Sequence, residues 1–193
     1  MKPLAVQEIL PLTDYEQRRP QFRKEAQAER DLRRIELGDS CVVIFENRMT
    51  VQYQVQEMLR VERDDSADRI KLELSCFNLL IPGENELSAT LLIRVPEYRD
   101  VDNVLQQLNG ITRECISLDI GGNPVYASFD VDEDTLVCDS DVFYIRFSML
   151  PEQAAAFCNP SIPAVLRASH EKCSDAVPIS AELRSSLIKD LSS

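Results

Sequence analysis

Residues 86–95 read ELSATLLIRV, and the alternation in that run decides the fold class. Leu87, Ala89, Leu91, Ile93 and Val95 share one side of an extended chain and Ser88, Thr90 and Arg94 the other, which is the pattern of a half-buried strand. Downstream, Val101, Val104, Leu105 and Leu108 form a short amphipathic helix that Gly110 can close, because glycine readily takes the left-handed conformation after a helix. Cys115–Ile120 and Val125–Phe129 then flank Gly121-Gly122-Asn123-Pro124 as hairpin strands, and Val142–Met149 buries Phe143, Ile145, Phe147 and Met149 on one side. Pro151 suits the first turn of a helix reaching about Phe157, and residues 163–169 add a last strand. The order β-α-β-β-β-α-β is ferredoxin-like with one extra strand, on an antiparallel sheet.

Upstream of the strand the period changes to that of helices. Thr13-Asp14-Tyr15-Glu16 reads as a capping box, and Pro20 predicts a break or kink before a second helix over residues 21–34. Residues 40–46 form a strand-like exception in which Cys41, Val43 and Phe45 share a face. The segment 51–63 alternates in VQYQVQ but also carries a helical stripe of Val51, Val55, Met58 and Leu59. Its Gln, Glu, Met, Leu and Arg content decides for helix, with Thr50 as N-cap. A helix from Ser66 places Ile70, Leu74, Phe77 and Ile81 on one face and ends before Pro82-Gly83. The expectation is one α+β domain over residues 1–170, with a helical part to about 82 packed on the sheet part from about 86. Residues 171–193 read as a tail, with a short helix after Ser180 presenting Leu183, Leu187, Ile188 and Leu191 to its own chain or to a partner.

A chain of 193 residues with 44% hydrophobic and 28% charged residues has enough apolar material for a sizeable core. Its formal charge of -12 repels nucleic acid and anionic lipid at long range. The early basic residues Arg18, Arg19, Arg23, Lys24, Arg30, Arg33 and Arg34 are interleaved with Glu25, Glu29 and Asp31. Glu29 and Arg33 have i,i+4 spacing, so the region reads as a solvent-facing charged helix and not as a nucleic-acid surface. Gln7, Glu8 and Pro11 interrupt any signal-peptide core, and no apolar run approaches the roughly 20 residues of a membrane span. The six cysteines at 41, 76, 115, 138, 158 and 173 form no C-x-x-C pair and read as thiols in a reducing cytoplasm. Cys41 fits a small core position, and Cys138 an exposed acidic loop.

The five glycines match neither a dinucleotide nor a P-loop fingerprint, and a single histidine excludes His-rich metal sites within one chain, so no cofactor or metal is expected. His170 and Cys173 stand three apart and could touch in a turn as a thiol and base or as two ligands; an ordinary surface turn explains them as well. Asp130, Asp132, Asp134 and Asp141 mimic part of a calcium loop, but Thr135 stands where glycine is needed, and a solvated acidic loop is the favoured reading. The most promising polar set starts with Glu46-Asn47-Arg48 at a strand-to-helix junction. It continues with Tyr53, Glu57 and Arg60 on one helical face and Glu73 on the next helix. Arg48 could recognise an anion and Glu57 could orient a guanidinium or exchange a proton; the favoured reading is an ion network joining helix and sheet.

The opening MKPL, FENR at Phe45–Arg48, VQYQVQEMLRVER at Val51–Arg63, and NLLIP at Asn78–Pro82 followed by ELSATLLI resemble a bacterial family known as domain of unknown function 3501. The resemblance runs from the N-terminus to about His170. Where that family tends to place a His-Pro pair, this chain has His170-Glu171. The resemblance implies no catalytic residue. It does imply a redox-linked accessory role, since members are encoded near rubrerythrin-like and iron-sulfur oxidoreductase proteins. The leading expectation is therefore a non-enzymatic or accessory partner of a redox system with the Arg48, Glu57 and Arg60 region as a binding or structural centre, and the alternative is a small-molecule enzyme or anion-binding protein using that same set.

Overall fold

The structure, a computed structural model, describes residues 1–95, 101–130 and 140–192. The first long element, α1 (Leu12–Leu32), runs without a break through Pro20. A proline interior to a helix removes one amide donor and crowds the carbonyl four residues back. Pro20 lies on the exposed face, where water can serve the Glu16 carbonyl, while Tyr15 and Ala26 are buried on the other face. The capping box expected at Thr13 is absent, because Thr13 is already helical. The first amide of α1 is instead capped from another part of the chain, Leu12 N donating to Asp65 Oδ2 at 2.8 Å.

Two short strands, β1 (Arg34–Leu37) and β2 (Cys41–Phe45), follow as a hairpin whose turn needs the positive φ of Gly38. Helix α2 (Arg48–Glu62) starts three residues earlier than expected, and its N-cap is Asn47, not Thr50. The Asn47 side chain accepts from Met49 N and Thr50 N at 2.9 and 3.0 Å, and the Thr50 hydroxyl returns a bond from Asn47 N at 2.9 Å. Thr50 is thus the third residue of the box that Asn47 opens. Helix α3 (Ala67–Phe77) is capped by Ser66 as its sequence indicates.

Next come β3 (Glu86–Ile93), α4 (Val101–Gln107), β4 (Ile116–Ile120), β5 (Asn123–Tyr126), β6 (Ser128–Phe129), β7 (Val142–Ser148), α5 (Pro151–Cys158), β8 (Ala164–His170), β9 (Cys173–Pro178) and α6 (Ala181–Leu191). The class is α+β and the strands pair antiparallel, but they form two sheets, β1-β2-β3-β7-β6 and β5-β4-β8-β9, where the ferredoxin-like order called for one. The division falls at Ala127. Residues 125–129, read as one strand, pair with β4 up to Tyr126 and with β7 from Ser128. Alternation places Val125, Ala127 and Phe129 on one side of the chain without saying which backbone each segment meets.

Residues 171–192 are not a tail. β9 completes the second sheet beside β8, and α6 buries Leu183 and Leu187 in the main core. That core gathers Val43, Phe45, Leu91, Ile145 and Phe147 from the first sheet, Leu118 and Leu166 from the second, and Leu105, Phe157 and Leu187 from α4, α5 and α6. A second cluster joins Leu4 and Ile9 to Val51, Val55 and Leu59 of α2 and Ile70 and Leu74 of α3. This helical layer covers the opposite face of the first sheet, where Ser88 donates to Leu80 O and Thr90 to Glu46. Arg184 fastens α6 by donating to the carbonyls of Phe157, Asn159 and Ile162 at 2.7, 2.8 and 2.6 Å, beyond the C-terminal end of α5 where cations are favoured.

Candidate functional site

Helix α2 carries four of the five residues singled out in the sequence, but it turns them toward different partners. Arg48, at its start, donates to Pro3 O at 2.9 Å and to Lys2 O, and pairs with Glu8. These contacts pin the first residues against α2 beside a recess of about 550 Å3 lined by Met1, Lys2, Pro3, Ala5, Glu8 and Arg48. The amide of Ala5 and the Arg48 guanidinium hold the Glu8 carboxyl below its ordinary range.

Tyr53, Glu57 and Arg60 share the face that meets α1, as their spacing requires. Arg19 grips Glu57 with two bonds of 2.7 and 2.8 Å, and the Tyr15 hydroxyl adds a third at 2.6 Å. The guanidinium, with help from that hydroxyl, holds the Glu57 carboxyl below its ordinary range despite partial burial. Burial and the adjacent carboxylate push the Tyr15 phenol far up. Arg60 donates to Glu16 at 2.8 Å, and Tyr53 packs on Phe22, ring centres 6.3 Å apart. Glu73 pairs with Arg69 at 2.5 Å within α3. Arg48, Glu57, Arg60 and Glu73 therefore hold four separate internal partners and do not converge on one pocket.

A second polar cluster centres on Arg33, whose i,i+4 pairing with Glu29 the sequence indicated and whose partners on α6 it did not. Arg33, only 1% exposed, is the largest fully buried side chain. It donates to Glu29 Oε1 at 2.6 Å, to both oxygens of Asp190 at 2.6 and 3.1 Å, and to the Ser186 hydroxyl at 2.7 Å. Glu29 also accepts from Asn47 Nδ2 at 2.7 Å, which ties the cluster to the cap of α2. The Glu29–Arg33 pair read as solvent-facing thus forms, but its cation is buried, because α6 closes over it. Burial pushes the Asp190 carboxyl up, against the downward pull of Arg33. A signal was present in the sequence: Asp190 follows Leu183 and Leu187 at the spacing of one helical face, so a charge stood on the apolar stripe of α6. Next to this cluster the buried Glu46 carboxylate accepts from Thr90 Oγ1 at 2.6 Å, Gln54 Nε2 at 3.1 Å and the Thr50 hydroxyl.

His170 and Cys173 face each other in the β8–β9 hairpin register without forming a dyad. The ring nitrogens of His170 are taken by Asn109 O at 3.0 Å and Lys172 N at 3.2 Å, whereas the Cys173 sulfur faces Leu37 O and Cys41. Among the described residues no group of three or more His, Cys, Asp or Glu side chains could hold a metal ion. Asp132, Asp134 and Thr135 of the acidic loop, and Cys138, lie outside the described residues. No helix among the described residues is long and apolar enough to cross a membrane.

The family model described as "Protein of unknown function (DUF3501)" matches residues 3–191. The chain belongs to this family. The DUF3501 match extends past the stretches that carried the resemblance and takes in β9 and α6, in keeping with their place in the sheet and core. A crystal structure of a novel protein of unknown function from Burkholderia pseudomallei K96243 is similar over 98% of this chain and 100% of that chain, with a TM-score of 0.90 and 28% sequence identity. No curated protein matches.

Proposed function

We propose that this DUF3501 protein is a cytoplasmic, non-enzymatic accessory that docks on a protein partner of a redox system. The observation that carries the reading is how the charged residues are used: Arg48, Glu57, Arg60 and Glu73 are each engaged inside the chain, so their side chains serve to hold the helical layer together. The same layer leaves Val61 of α2 69% exposed, Leu72 of α3 51% and Leu79 57%, and these are the side chains offered as contact points for the partner. The redox character of the partner is supported by the family resemblance. The test is affinity capture from the native host with the wild-type chain and with Val61→Glu and Leu72→Glu, read by mass spectrometry. An iron-sulfur or rubrerythrin-like protein retained by wild type and lost by folded variants is the expected result, and equal capture by all three chains would refute the docking surface.

One observation favours an anion-binding role instead, the recess in which Lys2 and Arg48 lie together. Calorimetric titration with inorganic phosphate distinguishes the two, since a saturable signal lost in Arg48→Met belongs only to this second reading.

A further inference from the structure

Two of the six cysteines lie together although 132 residues separate them: Cys41 Sγ and Cys173 Sγ are 3.2 Å apart, both in the main core. Cys41 opens β2 in the first sheet and Cys173 opens β9 in the second. The edge strands β1 and β9 lie against each other here, and Gly38 N donates to Asp175 Oδ2 at 2.8 Å across the same seam. The thiols thus stand where the two sheets meet, and a displacement of about 1 Å would bring them to the ~2.05 Å of a disulfide bond. We infer that Cys41 and Cys173 are a dithiol that oxidises reversibly to a disulfide, locking β9 and α6 onto the first sheet. The inference is independent of the partner reading above.

The chemistry assigns a different part to each sulfur. Both thiols are buried, so the oxidant, hydrogen peroxide, reaches them through the seam between the sheets; we assign the first attack to Cys173, at the β9 edge of that seam. In the reduced pair the Cys173 thiol donates toward Cys41 Sγ and Leu37 O; once Cys173 is a thiolate it accepts from the Cys41 thiol instead, which pulls its pKa down against burial and the charge of Asp175. Its sulfur attacks one peroxide oxygen; the S–O bond forms, the O–O bond breaks, and the hydroxide released takes the proton that Cys173 gave up and leaves as water. Cys173 is now a sulfenic acid, oxidised by two electrons. The Cys41 sulfur then attacks the Cys173 sulfur, the S–S bond forms, the S–O bond breaks, and hydroxide leaves as water with the Cys41 proton. Two thiols and one peroxide give one disulfide and two waters, and a dithiol reductant reverses the result by exchange. Half-buried Cys115 competes poorly, since burial raises its pKa and its thiol is engaged with Gly110 O at 3.4 Å.

The experiment treats the folded full chain with hydrogen peroxide, alkylates the remaining thiols in denaturant, digests it without reduction and maps the peptides. The expected result is a linked Cys41–Cys173 peptide, an intact mass lower by two hydrogens, and a Tm that rises by several degrees and falls back with dithiothreitol. Cys41→Ala and Cys173→Ser should each abolish the linked peptide and the Tm shift. Recovery of both cysteines as alkylated thiols, a bridge from Cys173 to Cys115, or a bridge that forms only after unfolding would overturn the inference. The wild-type map decides the matter even if a variant fails to fold.

Discussion

Glu57 shows how a residue can have the pattern of a reactive group and the surroundings of a structural one. Its carboxylate takes three hydrogen bonds, from Arg19 and Tyr15 of α1, and its pKa is held down chiefly by the Arg19 guanidinium. A carboxyl whose folded pKa lies below the unfolded one contributes stability that is present above the ordinary value of 4.5 and lost as pH falls through the depressed folded value. Glu57→Gln keeps the shape and removes the charge, leaving Arg19 undercompensated. The denaturant midpoint at neutral pH should drop by the equivalent of about 1–2 kcal/mol, and the part of the acid destabilisation due to Glu57 should disappear. A variant as stable as wild type at pH 7, with an unchanged acid limb, would return Glu57 to the list of functional residues.

At the scale of elements, α1 overrides its own sequence. A proline costs roughly 3 kcal/mol in a helix interior, and the local signal at Pro20 argued for two shorter helices. One helix forms because contacts on both sides of the proline hold the same axis: Tyr15, Arg19 and Glu16 bind α2 at one end, and Glu29 meets Arg33 and Asn47 at the other. Pro20→Ala restores the missing amide on an exposed face, so it should raise stability by about 1–2 kcal/mol after the greater freedom of the unfolded chain is subtracted. Urea unfolding of the two chains checks this, and a loss of stability would mean that proline's fixed φ, and not the tertiary contacts, sets the course of α1. The charge pattern of α1 was legible in part. The i,i+4 partnership of Glu29 with Arg33 holds, but its burial was not, because a helix wheel does not contain the α6 that covers it.

One buried ion pair ties the C-terminal end of α1 to the last helix, α6. Asp190 near the C-terminus and Arg33 at the end of α1 form a buried pair, with Ser186 and Glu29 completing the guanidinium's bonds. Such a pair adds little net stability over an apolar replacement, whereas removing one member leaves a charge stranded. Asp190→Asn should therefore cost about 3 kcal/mol, seen as a lower denaturant midpoint, and an Arg33→Met/Asp190→Leu double variant should recover much of the loss. If Asp190→Asn proved neutral, the hold on α6 would fall to its apolar face, Arg184 and the Ser186 bond to Arg33.

By itself, the sequence determined the α+β class, the antiparallel strands, most helix positions and the shared face of Tyr53, Glu57 and Arg60. Each of these follows from a periodicity or a cap within a few residues, where backbone geometry alone dictates which side chains lie together. Only the tertiary structure decided that the strands divide into two sheets at Ala127, that β9 and α6 belong to sheet and core, that Arg48 and Arg60 bind different segments, and that Arg33 meets Asp190 and Cys41 meets Cys173. Those outcomes depend on separate segments arriving at one place, from 18 positions apart for Ser128 and Arg146 to 157 for Arg33 and Asp190. No local pattern encodes that encounter, because a side chain's period specifies the direction it points and not the chain it will find there.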